Sequence, residues 1–256
     1  YKDYRVMLEK RKDIDAVVIA TPDHNHALPA LMAIREKKHV FLQNPLTHSI
    51  YEARVLNDAS KRYGVATQMG NQGDSDEGIR RICEWIWAGV IGEVTKVDAW
   101  SNRPLWTRDM LTPDKGRRIP RDLDWDLFTG PAQWRDYNPD YHPWNWRMWW
   151  DFGTAALGEM GCHTLNAPFK ALLLSYPSAI EASSTLFNIY SPPKSASVRF
   201  EFPRRDNLPK VAMPEVSINW YDGGLMPPRP DELKDGEAMG DENGGCIFYG
   251  TRGKIM

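Results

Sequence analysis

The chain has no apolar run near the roughly eighteen residues that a membrane-spanning helix needs, so no such span is expected. It has only three cysteines, Cys83, Cys162 and Cys246, far apart and odd in number. Without a CxxC pair they suggest neither a zinc knuckle nor a disulfide framework, and reduced thiols are expected. An excess of either charge is also missing: 32 basic against 34 acidic side chains leave a net charge of -2. A nucleic-acid binder would need a basic face, so that class is set aside. The six histidines include no HxxxH or HExxH pair, and no metal site is expected. A GxSxG nucleophile elbow is absent. So is the glycine-rich GxGxxG turn that grips a pyrophosphate. Tyr1 begins inside sequence that already patterns as folded, and no signal peptide is visible.

Tryptophan, by contrast, is plentiful: 11 residues, six of them from Trp125 to Trp150. Rings so dense serve either a buried core or a wall on which a sugar stacks, and both readings stand. The clearest pattern lies near the N-terminus. Residues 1–13 have helical spacing, with Tyr4, Val6 and Met7 facing inward. Ala16–Ala20 (AVVIA) is a β-branched apolar run, predicted as a parallel strand buried on both faces. Thr21-Pro22 ends it, because proline cannot extend the ladder. Ala27–Lys37 places Leu28, Leu31, Met32 and Ile34 on a helical stripe. His39–Leu42 reads as a second strand, Ser49–Tyr63 as a helix stopped by Gly64, and Val65–Met69 as a third strand. This β-α-β-α-β order with short connections predicts right-handed crossovers and a parallel sheet. Ligands bind at the carboxyl ends of such strands. Those ends are Thr21–His26, Gln43–Pro45 and Gly70–Gln72, all polar.

Beyond them, Asp76–Ala88 patterns as a helix, and GVIGEV turns it into a strand, Thr95–Trp100. The segment from Ser101 to Tyr141 shows little periodicity, and so long an irregular stretch is usually functional. The sequence becomes helical near Ala155. After Tyr176 it alternates as strands over Ala179–Leu186, Ser195–Phe202, Glu215–Tyr221 and Gly245–Gly250, punctuated as in an antiparallel sheet. The final IFYGTRGKIM reads as the first arm of a hairpin whose return arm is missing. The fold class is therefore α/β. An incomplete Rossmann-type parallel sheet over residues 1–72 precedes an α+β domain over 73–256 with a large, mostly antiparallel sheet.

The pieces VVIATPDHNHA, HVFLQNPLTHS, GVIGEV and GEMGCHTLN (Gly158–Asn166) stand in the order and spacing of a known family. From Asp15 to Met256 the chain resembles the glucose-fructose oxidoreductase, inositol dehydrogenase and MocA (Gfo/Idh/MocA) family. The resemblance implies an N-terminal Rossmann domain holding NAD or NADP. It also implies a C-terminal α/β domain whose open sheet often forms an oligomer interface. The implied chemistry is hydride transfer between a sugar or polyol carbon and the nicotinamide. Some relatives use a transient oxidation to cleave glycosidic bonds by elimination.

Residue by residue, the resemblance places Thr21, Pro22, Asn25 and His26 in the turn against the cofactor. It places Gln43, Asn44 and Pro45 at the second tip and Asn71 at the third, where a turn-forming asparagine is the plain alternative. The family's second tip reads Glu-Lys-Pro or Gln-Lys-Pro, and its lysine helps relay a proton from the substrate hydroxyl. Asn44 stands there instead, and an amide hydrogen-bonds but carries no proton away at neutral pH. It either orients substrate or nicotinamide, or fills space in a degraded site. Glu159 and His163, spaced i, i+4 at the start of a helix, share one face, where a carboxylate favours the charged imidazole. His163 matches the family's general acid or base. Glu159 is one methylene longer than the usual aspartate, and Asn166 stands where aspartate is common. A capping pair on a core helix is the alternative. Arg147, between Trp144 and Trp149, can anchor a sugar hydroxyl or carboxylate while Trp146 and Trp150 stack on the ring and Asp151 bonds the same ligand. Core packing of these rings is the competing reading.

The function expected is an NAD(P)-dependent oxidoreductase acting on a sugar or sugar derivative. The alternatives are a redox-assisted glycosidase, or a non-catalytic fragment or pseudoenzyme, suggested by Asn44 and the absent glycine loop. Without that loop, NAD binding by the chain is expected to be very weak. The expected partners are a small sugar and further copies of the chain, joined through the C-terminal sheet, with no nucleic acid and no membrane. Either a cytoplasmic location or, with an upstream signal, a periplasmic one fits.

Overall fold

Short β-branched runs separated by helices build the first sheet. The structure, a computed structural model, describes residues 1–104, 111–206 and 211–256. Helix α1 (Tyr4–Lys10) is capped by Asp3, whose carboxylate accepts the Arg5 N–H at 2.8 Å, and it leads into β1 (Ala16–Ile19). Then come α2 (Ala27–Arg35), β2 (His39–Gln43), α3 (Ile50–Tyr63) and β3 (Thr67–Gly70). The strands pair in parallel in the order β1-β2-β3, with Ala16 beside His39 and Val40 beside Thr67. Parallel neighbours need crossover connections, and α2 and α3 supply them. Ala30, Ala33, Ile34, Val40, Leu42 and Leu56 form the core of this layer. Each large apolar side chain so buried contributes about 1.5–3 kcal/mol. A capping box starts α3: the Ser49 hydroxyl accepts from the Glu52 N–H at 3.3 Å, and the Glu52 carboxylate accepts from the Ser49 N–H at 2.9 Å. Gly64 ends it at φ 67°, a left-handed conformation open to glycine.

The parallel order is the one expected, but β1 is not buried on both faces. Val18 is 74% exposed. Among the described residues β1 pairs only with β2, so its second main-chain edge is also without a partner strand.

Two compact units make up the chain. The first comprises Tyr1–Asn71, Met110–Ala155 and Asn188–Pro192; the second comprises Gln72–Asp109, Ala156–Phe187 and Pro193–Met256. After β3 the chain enters the second unit with α4 (Glu77–Trp87) and β4 (Val94–Ser101). It returns to the first with α5 (Trp125–Thr129). That helix lies inside the segment expected to be irregular; five residues are too few to show a period, and residues 105–110 lie outside the described part.

Helices α6 (Ala155–Thr164) and α7 (Asn166–Ala171) precede strands β5 (Ala179–Ser184), β6 (Ala196–Phe202), β7 (Val216–Tyr221), β8 (Gly244–Gly250) and β9 (Lys254–Ile255). The second sheet runs β5-β6-β7-β4-β8-β9. Its pairs are antiparallel except β4 with β7. Cys83 and Ile86 of α4 and Ala167 and Ala171 of α7 join Val97, Val216, Ile218 and Phe248 of the sheet in one core. β9 pairs with β8, Ile255 beside Phe248, so the hairpin's return arm begins within the chain after all. Its two residues are too short a run for alternation to reveal.

Candidate functional site

The tips of the parallel strands are tied to one another by their side chains. The His26 ring is fully buried, with Nε2 2.7 Å from the Thr21 carbonyl and Nδ1 2.8 Å from the Pro45 carbonyl. It therefore braces the first tip against the second and presents no free ring atom. The Thr21 hydroxyl donates to the Asn25 carbonyl at 2.8 Å. The Asn44–Pro45 peptide is cis. At the third tip a Cβ on Gly70 would collide with the Gln43 side chain, so glycine there lets the second and third tips close together. Asn71 is buried beside it. Thr21 is exposed; Pro22, Gln43 and Asn44 are half-buried. The set is made of neutral hydroxyl and amide groups, which suit ribose hydroxyls and a carboxamide.

In the second unit, Glu159 and His163 both lie on α6 at the expected spacing, Glu159 near its middle and His163 in its last turn rather than at its start. Burial pulls the His163 ring below the ordinary histidine value, and the Glu159 carboxylate partly offsets that pull. Burial outweighs the carboxylate, so the ring is neutral near pH 7 and able to accept a proton. Asn166 donates to Asp74 at 3.0 Å, and Lys170 approaches the same oxygen at 2.9 Å. That amide fastens the turn Gln72–Ser75 to α7.

The aromatic segment divides between the two readings made of it. Trp146 and Trp149 are buried with Trp125, Tyr137, Tyr141 and Phe152 in a core of their own. Trp144 and Trp150 are exposed, and the Trp150 indole donates to the Asn188 carbonyl at 3.2 Å. The Arg147 guanidinium lies between two indoles, 3.9 Å from the Trp144 ring centre and 4.1 Å from that of Trp146. Such stacking holds a cation in one orientation. Asp151 is ion-paired with Arg135, which itself stands 5.0 Å over the Tyr190 ring. Its carboxylate is thus already committed to the protein.

Sequence reasoning passed over Asp23, His24, Arg135 and Thr154. Asp23 accepts from the Thr154 N–H at 3.1 Å and from the Thr154 hydroxyl at 2.7 Å. The His24 ring stands with Nε2 2.7 Å from the Phe128 carbonyl and Nδ1 3.2 Å from that of Phe152. Burial pushes its pKa down to about 4, so the ring is neutral, and its single N–H is assigned to the shorter contact. Asn25 donates from Nδ2 to the Phe128 carbonyl at 2.7 Å. Three polar residues in succession straight after a strand-ending proline were the available signal. Among the described residues no cluster of His, Cys, Asp and Glu is suited to a metal ion.

Two family models match the chain in order. An NAD-binding Rossmann-fold oxidoreductase model covers residues 1–71, and the C-terminal α/β domain model of the same family covers 82–179. Among curated relatives, the 2,7-anhydro-N-acetylneuraminate hydratase of Escherichia coli K12 is 33% identical over 100 residues, 38% of this chain and 27% of that protein. The scyllo-inositol 2-dehydrogenase (NAD(+)) of Bacillus subtilis 168 is 34% identical over 80 residues, 31% of this chain and 23% of that protein. An inositol dehydrogenase homologue from Azotobacter vinelandii, solved with NADH and myo-inositol, superposes with a TM-score of 0.64 at 15% identity, covering 99% of this chain and 54% of that one. A levoglucosan dehydrogenase with NADH and levoglucosan gives a TM-score of 0.60 at 20% identity, covering 100% of this chain and 56% of that one. At such identity the solved structures speak for the fold alone, and the chain spans little more than half their length. With both domain models matched in sequence order, the chain belongs to the Gfo/Idh/MocA oxidoreductase family.

Proposed function

We propose that this chain is the part of an NAD(P)-dependent oxidoreductase that acts on a sugar or sugar derivative. The observation that carries the reading is the α6 pair: a half-buried histidine held neutral, one turn after a carboxylate, in a chain whose first sheet matches an NAD-binding family. NAD or NADP, when bound, supplies the hydride acceptor. Thr21, Pro22, Gln43, Asn44, Pro45 and Asn71 would line its binding tips, with Asn25 and His26 bracing them. Their neutral donors and acceptors fit ribose and carboxamide groups; a glycine-rich turn for the pyrophosphate is not among the described residues. His163 takes the proton of the substrate hydroxyl, and Glu159 orients the ring and steadies its charged form. Asn44 hydrogen-bonds substrate or nicotinamide without relaying a proton. Arg147, fixed between its indoles, faces a hydroxyl or carboxylate of the sugar, with Trp150 as a stacking wall beside it. Trp146 serves mainly as core and as the floor under Arg147, and Asp151 acts through Arg135. We also propose that copies of the chain associate through the second sheet.

The protein expressed from its complete reading frame, mixed with NAD or NADP and a panel of sugars and polyols, should accumulate reduced nucleotide, read at its near-ultraviolet absorbance. His163→Gln should lower kcat by about 10²–10⁴-fold. Wild-type turnover in that mutant would remove His163 from the chemistry. The hydratase relative supports a second reading, a redox-assisted glycosidase that returns its hydride. Bond cleavage with catalytic nucleotide and no net reduction would select it. A chain inert toward every sugar that still binds one would mark a non-catalytic relative.

A further inference from the structure

We infer that Asp23, His24 and Asn25 are positioning residues, a hydrogen-bonded clasp that fastens the aromatic segment 125–154 to the carboxyl end of β1. The three residues form one 3-10 turn directly after the strand's proline. From it, three successive side chains reach the two ends of the segment. Asp23 holds the far end, through the Thr154 N–H and hydroxyl at 3.1 and 2.7 Å. The His24 main-chain N–H donates to the Phe152 carbonyl at 3.3 Å, while its ring reaches the Phe128 carbonyl at the near end, 2.7 Å away. Asn25 reaches the same Phe128 carbonyl at 2.7 Å.

Packing at the near end is close enough to dictate sequence. Gly130 has φ 51°, and a Cβ there would run into the Asn25 amide. The His24 ring also packs on Phe152 and Phe128, with centroids 5.0 and 5.7 Å apart, which joins the clasp to the aromatic core. Asp23 and His24 are 5% and 2% exposed, so their polar atoms are spent on protein and face no ligand. A polar group buried this way costs free energy when its partner is removed, which makes the clasp cooperative. Between the two gripped ends the segment carries Arg147 with Trp144 and Trp146. The clasp therefore sets where that cation stands relative to the strand tips within the first unit.

Hydrogen–deuterium exchange of the protein, read by mass spectrometry, tests the clasp without reference to activity. In Asp23→Ala, exchange across 125–154 should rise about tenfold or more while β2 and α3 keep their protection. Asp23→Asn, which retains an acceptor, should restore most of it. If Asp23→Ala unfolds outright, Thr154→Val decides, since it removes only the hydroxyl donor and should loosen the same segment. Unchanged exchange in the folded variants would overturn the inference. A second arm rests on the sugar oxidoreductase reading: in Thr154→Val, which leaves the tip Thr21–His26 itself unaltered, KM for the sugar should rise about tenfold, with Kd for NADH unchanged, because loss of the clasp moves the wall and not the nucleotide tips. A weakened Kd for NADH with unaltered exchange would make the turn a cofactor contact instead and sink the proposal. Loosened exchange in a protein that oxidises no sugar would leave the clasp standing and retire the activity.

Discussion

His24 is a titration point as well as a tether. Its folded pKa of about 4 lies below the free-ring value, so between the two the unfolded chain binds more protons than the folded one. The contribution to stability is complete above the unfolded value and is lost as pH falls toward the folded value. Unfolding free energy measured in urea should fall by about 2 kcal/mol from pH 7 to pH 5 on this account. His163, shifted in the same direction by burial, adds to the slope. His24→Asn should flatten that part of the pH dependence, and an unaltered slope would show that the ring is not buried in solution. Asn44 carries a second prediction. If the position belongs to a proton relay, Asn44→Lys should raise turnover about tenfold or more in steady-state assays; identical kinetics would exclude it. Asn44, Glu159 and His163 are legible in sequence because type and spacing alone suggest their chemistry. Asp23 and Thr154 are not, because 131 residues separate partners whose meaning lies only in their contact. Arg135 and Asp151, although near in sequence, show no spacing that announces an ion pair.

At the scale of elements, α3 is legible in the sequence. Its apolar spacing and the stop at Gly64 announce it, and Gly64 does end it; the capping box of Ser49 with Glu52 is a device the structure adds. Ser49→Ala should cost about 1 kcal/mol. In a thermal melt that loss should lower the midpoint by about 2–4 °C; no shift would mean that the capping box is absent in solution. Other elements were opaque for identifiable reasons. β1 reads as doubly buried because its side chains are β-branched, yet the burial of each face depends on which helices pack on it. α5 and β9 are too short to carry a period. The parallel contact of β4 with β7 joins strands more than a hundred residues apart, and alternation is the same in either direction.

For the whole molecule, one sheet edge stands exposed beside apolar side chains. Every residue of β5 is exposed, Ile180 by 61%, and Leu186 and Phe187 just beyond it by 73% and 59%. An uncovered strand edge beside apolar side chains is a template for association. Light scattering should therefore find a multimer at micromolar concentration, and Ile180→Lys should shift it toward monomer. A well-behaved wild-type monomer would contradict the association. Composition announced neither this edge nor the division into units, since the first unit gathers three separated stretches of chain. That discontinuity governs synthesis. When Asn71 leaves the ribosome, the carbonyl of Phe152 that meets His24 has not yet been made. At about 5–20 residues per second the wait lasts roughly 4–16 s. During it, the nascent N-terminal sheet carries a bare histidine and carboxylate in search of partners, a window in which chaperone binding or premature pairing competes with the native fold.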